Sequence, residues 1–150
     1  MRTKKAIEYI TQLNREVEQK LKKVRKERTS YMNNSKWRKL FEELEVSTFR
    51  LEGARIKMLG SEDTHMFSMN IGILETSEHT GDGFCGPVAF KDIEWIFIPA
   101  STEDVQYRNG IKYRTTISKN DLEEFMFFMD KLGKFEYDFN ENSLKIYGYK

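Results

Sequence analysis

Apolar residues at Ile7, Ile10, Leu13, Val17, Leu21 and Val24 recur at spacings of three and four, the period of one face of an α-helix. The first Gly is Gly53 and the first Pro is Pro87, so no breaker interrupts this pattern. The stripe is narrow, one residue per turn, with charged and polar positions around it. A helix of this kind lies on something, either its own body or a second copy. Asn33-Asn34-Ser35 then supplies N-cap residues for a short second helix, in which Trp37, Leu40, Phe41 and Leu44 share one face and enter the core.

From Thr48 the period changes to two. Phe49 and Leu51, then Ile56 and Met58, and later Phe67, Met69, Ile71 and Ile73 predict half-buried, antiparallel strands. Residues 76–87, with three Gly and a Pro, are the longest expected loop. Ile93-Glu94-Trp95-Ile96-Phe97-Ile98 is the clearest strand pattern, and Asn109-Gly110 between Val105–Tyr107 and Ile111–Tyr113 predicts a hairpin turn. Ser118 or Asn120 is expected to cap a last helix, Asp121 to Leu132, stopped by Gly133. Its core stripe is Leu122, Phe125, Met126, Met129 and Leu132, and Phe127 and Phe128 make it apolar nearly all round. Phe135–Phe139 and Leu144–Tyr147 close the chain as a hairpin. The expected fold is α+β: a mostly antiparallel sheet with helices packed on one side, preceded by a long amphipathic helix. No internal repeat or linker divides it, so residues 1–150 read as one domain, with 1–28 a helical extension and 31–150 the α+β body.

Charge changes this picture. Residues 1–28 hold ten Lys/Arg and four Glu, a net +6, while the whole chain is only +1, which leaves residues 29–150 at −5. Residues 40–150 alone carry 20 acidic and 12 basic side chains, a net −8. The basic arm, with Lys20, Lys22, Lys23, Arg25, Lys26 and Arg28, admits three readings: a phosphate-binding footprint, a solvated face, or a segment that docks on its own acidic body. Tyr9 is its one aromatic, so the arm lacks a base-stacking platform, and nucleic acid is the less favoured partner. The acidic body suits a blocker of a basic enzyme such as a nuclease, because complementary charge speeds encounter and selects partners.

Candidate chemistry adds little. Cys85 shares its loop with His79 and Asp82, but Cys/His sites are assembled in space, and a lone Cys is often a small apolar filler. Asp63, His65, His79, Asp82 and Cys85 lack metal-ligand spacings, and Gly81-Asp82-Gly83 lacks the Lys-Ser/Thr of a phosphate loop. No catalytic residue, cofactor or metal is expected. No apolar run approaches the roughly 20 residues that span a bilayer. Ala6-Ile7 is followed at once by Glu8, unlike a secretory leader, and the single Cys85 accords with a reducing compartment; the expected location is the cytoplasm.

Met32-Asn33-Asn34-Ser35-Lys36-Trp37, Ile93-Glu94-Trp95 and Ile146-Tyr147-Gly148-Tyr149 together resemble a family of small bacterial proteins of unknown function. That family commonly shows Asn-Thr-Lys-Trp, Ile-Glu-Trp and Tyr-Gly-Tyr elements; here Ser35 stands in place of the commoner Thr. The resemblance covers about residues 31–149 and implies no catalytic residues. The expectation is a non-enzymatic cytoplasmic protein-binding module, an immunity- or antitoxin-type partner that masks a basic bacterial toxin or nuclease. The alternative is a nucleic-acid-associated or regulatory protein using the basic helix. Candidate partner-binding residues are His79, Asp82, Phe84, Cys85, Asp92, Glu103 and Asp104, and the helical stripe admits a homodimer.

Overall fold

The computed structural model describes residues 2–73, 78–81 and 86–150. In chain order the elements are α1 (Arg2–Glu27), α2 (Asn34–Val46), β1 (Arg55–Met58), β2 (Thr64–Met66), β3 (Ile93–Pro99), β4 (Ser101–Arg108), β5 (Ile111–Lys119), α3 (Leu122–Leu132), β6 (Tyr137–Phe139) and β7 (Ser143–Tyr147). Five strands form one antiparallel sheet in the order β2-β1-β3-β7-β6, and β4 and β5 pair in a separate two-stranded sheet. The fold is α+β, as the hydrophobic pattern predicts.

Register sorts the side chains. Ile56 lies opposite Ile96, Ile96 opposite Ile146 and Ile98 opposite Leu144, and all five are fully buried on one face. They belong to one core with Trp37, Leu40, Phe41 and Leu44 of α2 and Leu122, Phe125 and Met129 of α3. Phe41 is the centre of an aromatic cluster, stacked on Phe90 at 5.9 Å and on Trp37 at 6.0 Å, with Phe67 edge-on at 5.9 Å. Each such pair adds directional contact to large buried area. Asn33 caps α2, accepting from the Lys36 N–H at 2.8 Å.

Three expected elements differ. Residues 48–54 form no strand; instead the Leu51 N–H donates to Asn70 Oδ1 and the Glu52 N–H to Asn120 Oδ1. The strand predicted through Phe67 and Met69 ends at Met66, and Ile73 makes only an isolated bridge with Thr80. Their alternation reflects burial of an irregular segment, which period-two patterning cannot tell from a ladder. The cap of α3 is Asp121, whose carboxylate accepts from the Glu124 N–H at 3.0 Å. Asn120, expected as a possible cap, is buried and bridges Glu52 O and Pro99 O.

The end of α1 is tied to the body by charge. Ile7, Ile10, Leu13 and Val17 are 40–59% exposed, whereas Glu18, Leu21, Val24 and Arg25 are half-buried. Arg25 donates to Asp92 at 3.0 Å and to Glu18 at 3.4 Å. Just beyond the helix, Arg28 donates to Glu94 Oε1 at 2.5 Å, and Lys57 pairs with Glu94 Oε2. Lys57 faces Trp95 and Met58 faces Ile93, so Glu94 is the extra residue of a β-bulge, the device that re-aims a side chain. The carboxylate is buried and meets two cations. The C-terminal segment closes the same corner: Thr29 and Lys150 exchange backbone hydrogen bonds at 3.0 Å, and Gly148 N–H donates to Glu94 O at 2.8 Å. A Cβ at Gly148 would lie 2.2 Å from Ile93 O, so only glycine permits this approach.

Glu94→Gln is expected to lower unfolding free energy by about 2–3 kcal/mol, because two partly buried cations lose their counter-charge. Lys22→Ala, at an exposed position, should leave the urea midpoint unchanged.

Candidate functional site

Two elements leave polar and apolar groups outside the core in a patterned way: the β4–β5 hairpin and the outer face of α3. The hairpin turns at Asn109 (φ 53°) and Gly110 (φ 77°), the left-handed pair that matches strand twist. Its strands are nearly all exposed, with Tyr107, Ile111, Tyr113 and Ile117 each more than half accessible. A lone two-stranded hairpin is marginal in water. Here Arg108 stacks over the Tyr113 ring at 5.2 Å and Tyr113 Oη donates to Gln106 at 3.0 Å, supporting the tip from within.

One face of the hairpin looks onto the body. Thr102, Asp104 and Gln106 lie opposite Ser118, Thr116 and Arg114, and with Glu52, Glu103 and Met66 they line a cleft at its root. A second cleft, beside Asn120 and the start of α3, is lined by Asp121, Glu123 and Glu141 with Phe139 and Lys119. A third runs along α3 between Phe49, Glu124, Phe127, Phe128, Asp130 and Lys131, with a volume of about 580 Å³. Asn120 joins the first two, since its side chain bonds both ends of the Glu52–Pro99 junction.

Together these clefts carry eight carboxylates (Glu52, Glu103, Asp104, Asp121, Glu123, Glu124, Asp130, Glu141) against Arg114, Lys119 and Lys131. Part of that charge serves the fold: Asp121 caps α3, and Glu123 and Glu124 sit where the helix dipole favours anions. The aromatics have no such account. Phe127 is 53% exposed, although its neighbours Phe125 and Phe128 are stacked at 6.0 Å and Phe49 lies against Phe128 at 5.1 Å. Asp130 is held in place by Tyr137, whose hydroxyl donates to it at 3.1 Å. Burial, then that bond to the carboxylate, raises the Tyr137 pKa above its ordinary value.

The sequence-selected residues are distributed differently. Glu103 and Asp104 lie in the hairpin-root cleft. Asp92 is engaged by Arg25 at the end of α1, and His79 bridges to Ala89 with a buried Nδ1 that has no hydrogen-bond partner among the described residues. Asp82, Phe84 and Cys85 lie outside the described residues. The described parts of their loop are laid on the body, with Thr80 N–H donating to Val88 O and Gly81 N–H to Gly72 O. Within the basic patch, Arg25 and Arg28 are paired with Asp92 and Glu94, while Lys20, Lys22, Lys23 and Lys26 stay exposed. Sequence reading missed Phe127 and Asp130 as surface features. The available signal was a helix apolar on more sides than one core contact uses.

Among the described residues no helix is long and apolar enough to cross a membrane, and no group of three or more His, Cys, Asp or Glu is placed to hold a metal ion. A model of a family of unknown function, DUF6678, matches residues 17–150. No curated protein and no solved structure matches. The match begins at Val17, one residue before α1 starts to pack on the body.

Phe127→Ser is expected to leave stability within about 0.5 kcal/mol of the parent, whereas Phe125→Ala should cost about 3–5 kcal/mol; urea unfolding of the two variants separates surface from core. The Tyr137–Asp130 bond stabilises the fold below about pH 10, where the free phenol is still protonated, and is lost as pH rises through the elevated value. Phenolate absorbance of the parent minus that of Tyr137→Phe should show an ionisation above the ordinary tyrosine range.

Proposed function

We propose that this chain, which belongs to DUF6678, is a cytoplasmic protein-binding module without a reaction of its own, an immunity- or antitoxin-type partner that masks a basic toxin or nuclease. The observation that supports this reading is the acidic surface around α3, with Phe127 exposed at its centre. The physical logic is that of a hot spot: an aromatic anchor supplies contact, and a ring of carboxylates selects a cationic partner and steers its approach. The hairpin extends this surface, and its root contributes Glu52, Glu103 and Asp104. Masking needs no chemistry in the binder, only coverage of the partner's cationic site.

A second reading, contact with nucleic acid through the basic helix, is favoured by one observation: Lys20, Lys22, Lys23 and Lys26 remain exposed while the two arginines are engaged.

Co-expression with the product of the adjacent gene is the direct test. The expected result is a stable complex that weakens with salt and loses affinity about ten-fold or more in Phe127→Ala combined with Asp130→Lys. Absence of a complex, or a complex indifferent to both changes, overturns the α3 reading. Sensitivity instead to Lys22→Glu and Lys23→Glu would favour the second.

A further inference from the structure

The face of the five-stranded sheet turned away from the core carries its own constellation. Lys57, Trp95 and Tyr147 are direct cross-strand neighbours, and so are Arg55, Phe97 and Lys145 in the next row. None of the six is buried, whereas Ile56, Ile96 and Ile146 between them point the other way and are fully buried. Three aromatic rings and three cations therefore share this face across β1, β3 and β7, with Trp95 beside both Phe97 and Tyr147. Lys145 Nζ lies 4.2 Å from the centre of the Trp95 ring and 5.4 Å from that of Tyr147. Tyr147 Oη donates to Asp138 at 2.8 Å, which fixes the tilt of the ring at the β6 side.

Charge completes the arrangement. Lys57 and Arg28 share Glu94, so the basic last turns of α1 end beside the Lys57–Trp95 row. The two clefts beside α3 lie on the opposite, core side, while the hairpin-root cleft, with Glu52, Glu103 and Asp104, borders the open face at Met66, the neighbour of Arg55. On the face and its edge, Arg28, Arg55, Lys57 and Lys145 stand against Glu94 and Asp138, and that cationic excess favours a polyanion over a basic protein. Among polyanions, the three rings select one with flat aromatic groups between its charges, because every base has a face to stack and a phosphate follows each base. Duplexes keep their base faces internal and offer nothing to these rings.

We propose that this open sheet face binds single-stranded nucleic acid, with bases stacked on Trp95, Phe97 and Tyr147 and phosphates met by Arg55 and Lys145. A base arriving on Trp95 displaces the Lys145 ammonium from the ring. An exposed cation–π contact is the weaker of the two interactions, and the released ammonium is left free to meet the next phosphate.

The test uses the full chain with labelled oligothymidylate and oligouridylate of about ten nucleotides, and a duplex of the same length, followed by fluorescence anisotropy at two salt concentrations. Trp37 is buried and Trp95 is on the face, so quenching of intrinsic emission reports stacking at Trp95. Expected are binding of single strands in preference to duplex, weakening with salt, quenching, and a loss of about ten-fold in Trp95→Ala. Lys145→Glu should lose affinity similarly; because it sets a like charge opposite Asp138, its unfolding midpoint is measured alongside to show that the variant is folded under the binding conditions. The ratio of the two single-strand affinities distinguishes RNA from DNA as the source. No binding, equal binding of duplex, affinity unaffected by Lys145→Glu, or equal displacement by polyglutamate overturns the proposal. None of those outcomes touches the α3 surface, whose test stands separately.

Discussion

A single buried carboxylate, Glu94, holds the molecule together at the point where its ends meet. Arg28 reaches it from the end of α1, Lys57 from β1, and its own backbone oxygen accepts from Gly148 and Tyr149 near the C-terminus. An unpaired charge at that depth is costly, so the cations and the carboxylate constrain one another's positions. The bulge that turns Glu94 towards them, and the glycine that lets the C-terminal segment approach Ile93, are both consequences of the same junction. Two of the three short motifs that mark the sequence meet at this junction, and the third serves the core. Trp37 enters the core, Ile93-Glu94-Trp95 supplies the junction, and Tyr147-Gly148-Tyr149 closes over it.

That junction also divides the basic arm. Its final turns dock on the body, while residues 3–17 project with their apolar stripe exposed. The +6 of the arm is thus partly consumed within the fold, through Arg25 and Arg28, and partly displayed through its lysines. The family match begins where docking begins. The projecting turns are an extension of a body that the family shares.

The body itself is polarised. Helices cover one face of the sheet and bring carboxylates and Phe127 to the surface around α3; the other face carries three rings and three cations side by side. The β4–β5 hairpin, which leaves the sheet after Pro99, adds reach to the acidic side.

Local pattern was enough for the helices, the β3 strand, the Asn109-Gly110 turn and the α+β class, because helix and strand periods are written in consecutive residues. It also placed Trp37, Phe41, Phe125 and Met129 inside. It misread residues 48–54 and 67–73, where alternating burial arises without a ladder, and it put the α3 cap at Ser118 or Asn120 instead of Asp121. Sequence nearness drew attention to His79, Asp82 and Cys85. Glu52 and Glu103, 51 positions apart in the chain, share a cleft only because Asn120 staples the hairpin root to the segment before β1. Charge totals showed that the chain is divided into basic and acidic parts. Which charges are spent in pairs, and which remain on a surface to meet a partner, depends on distances between residues far apart in sequence, and those distances exist only in the folded chain.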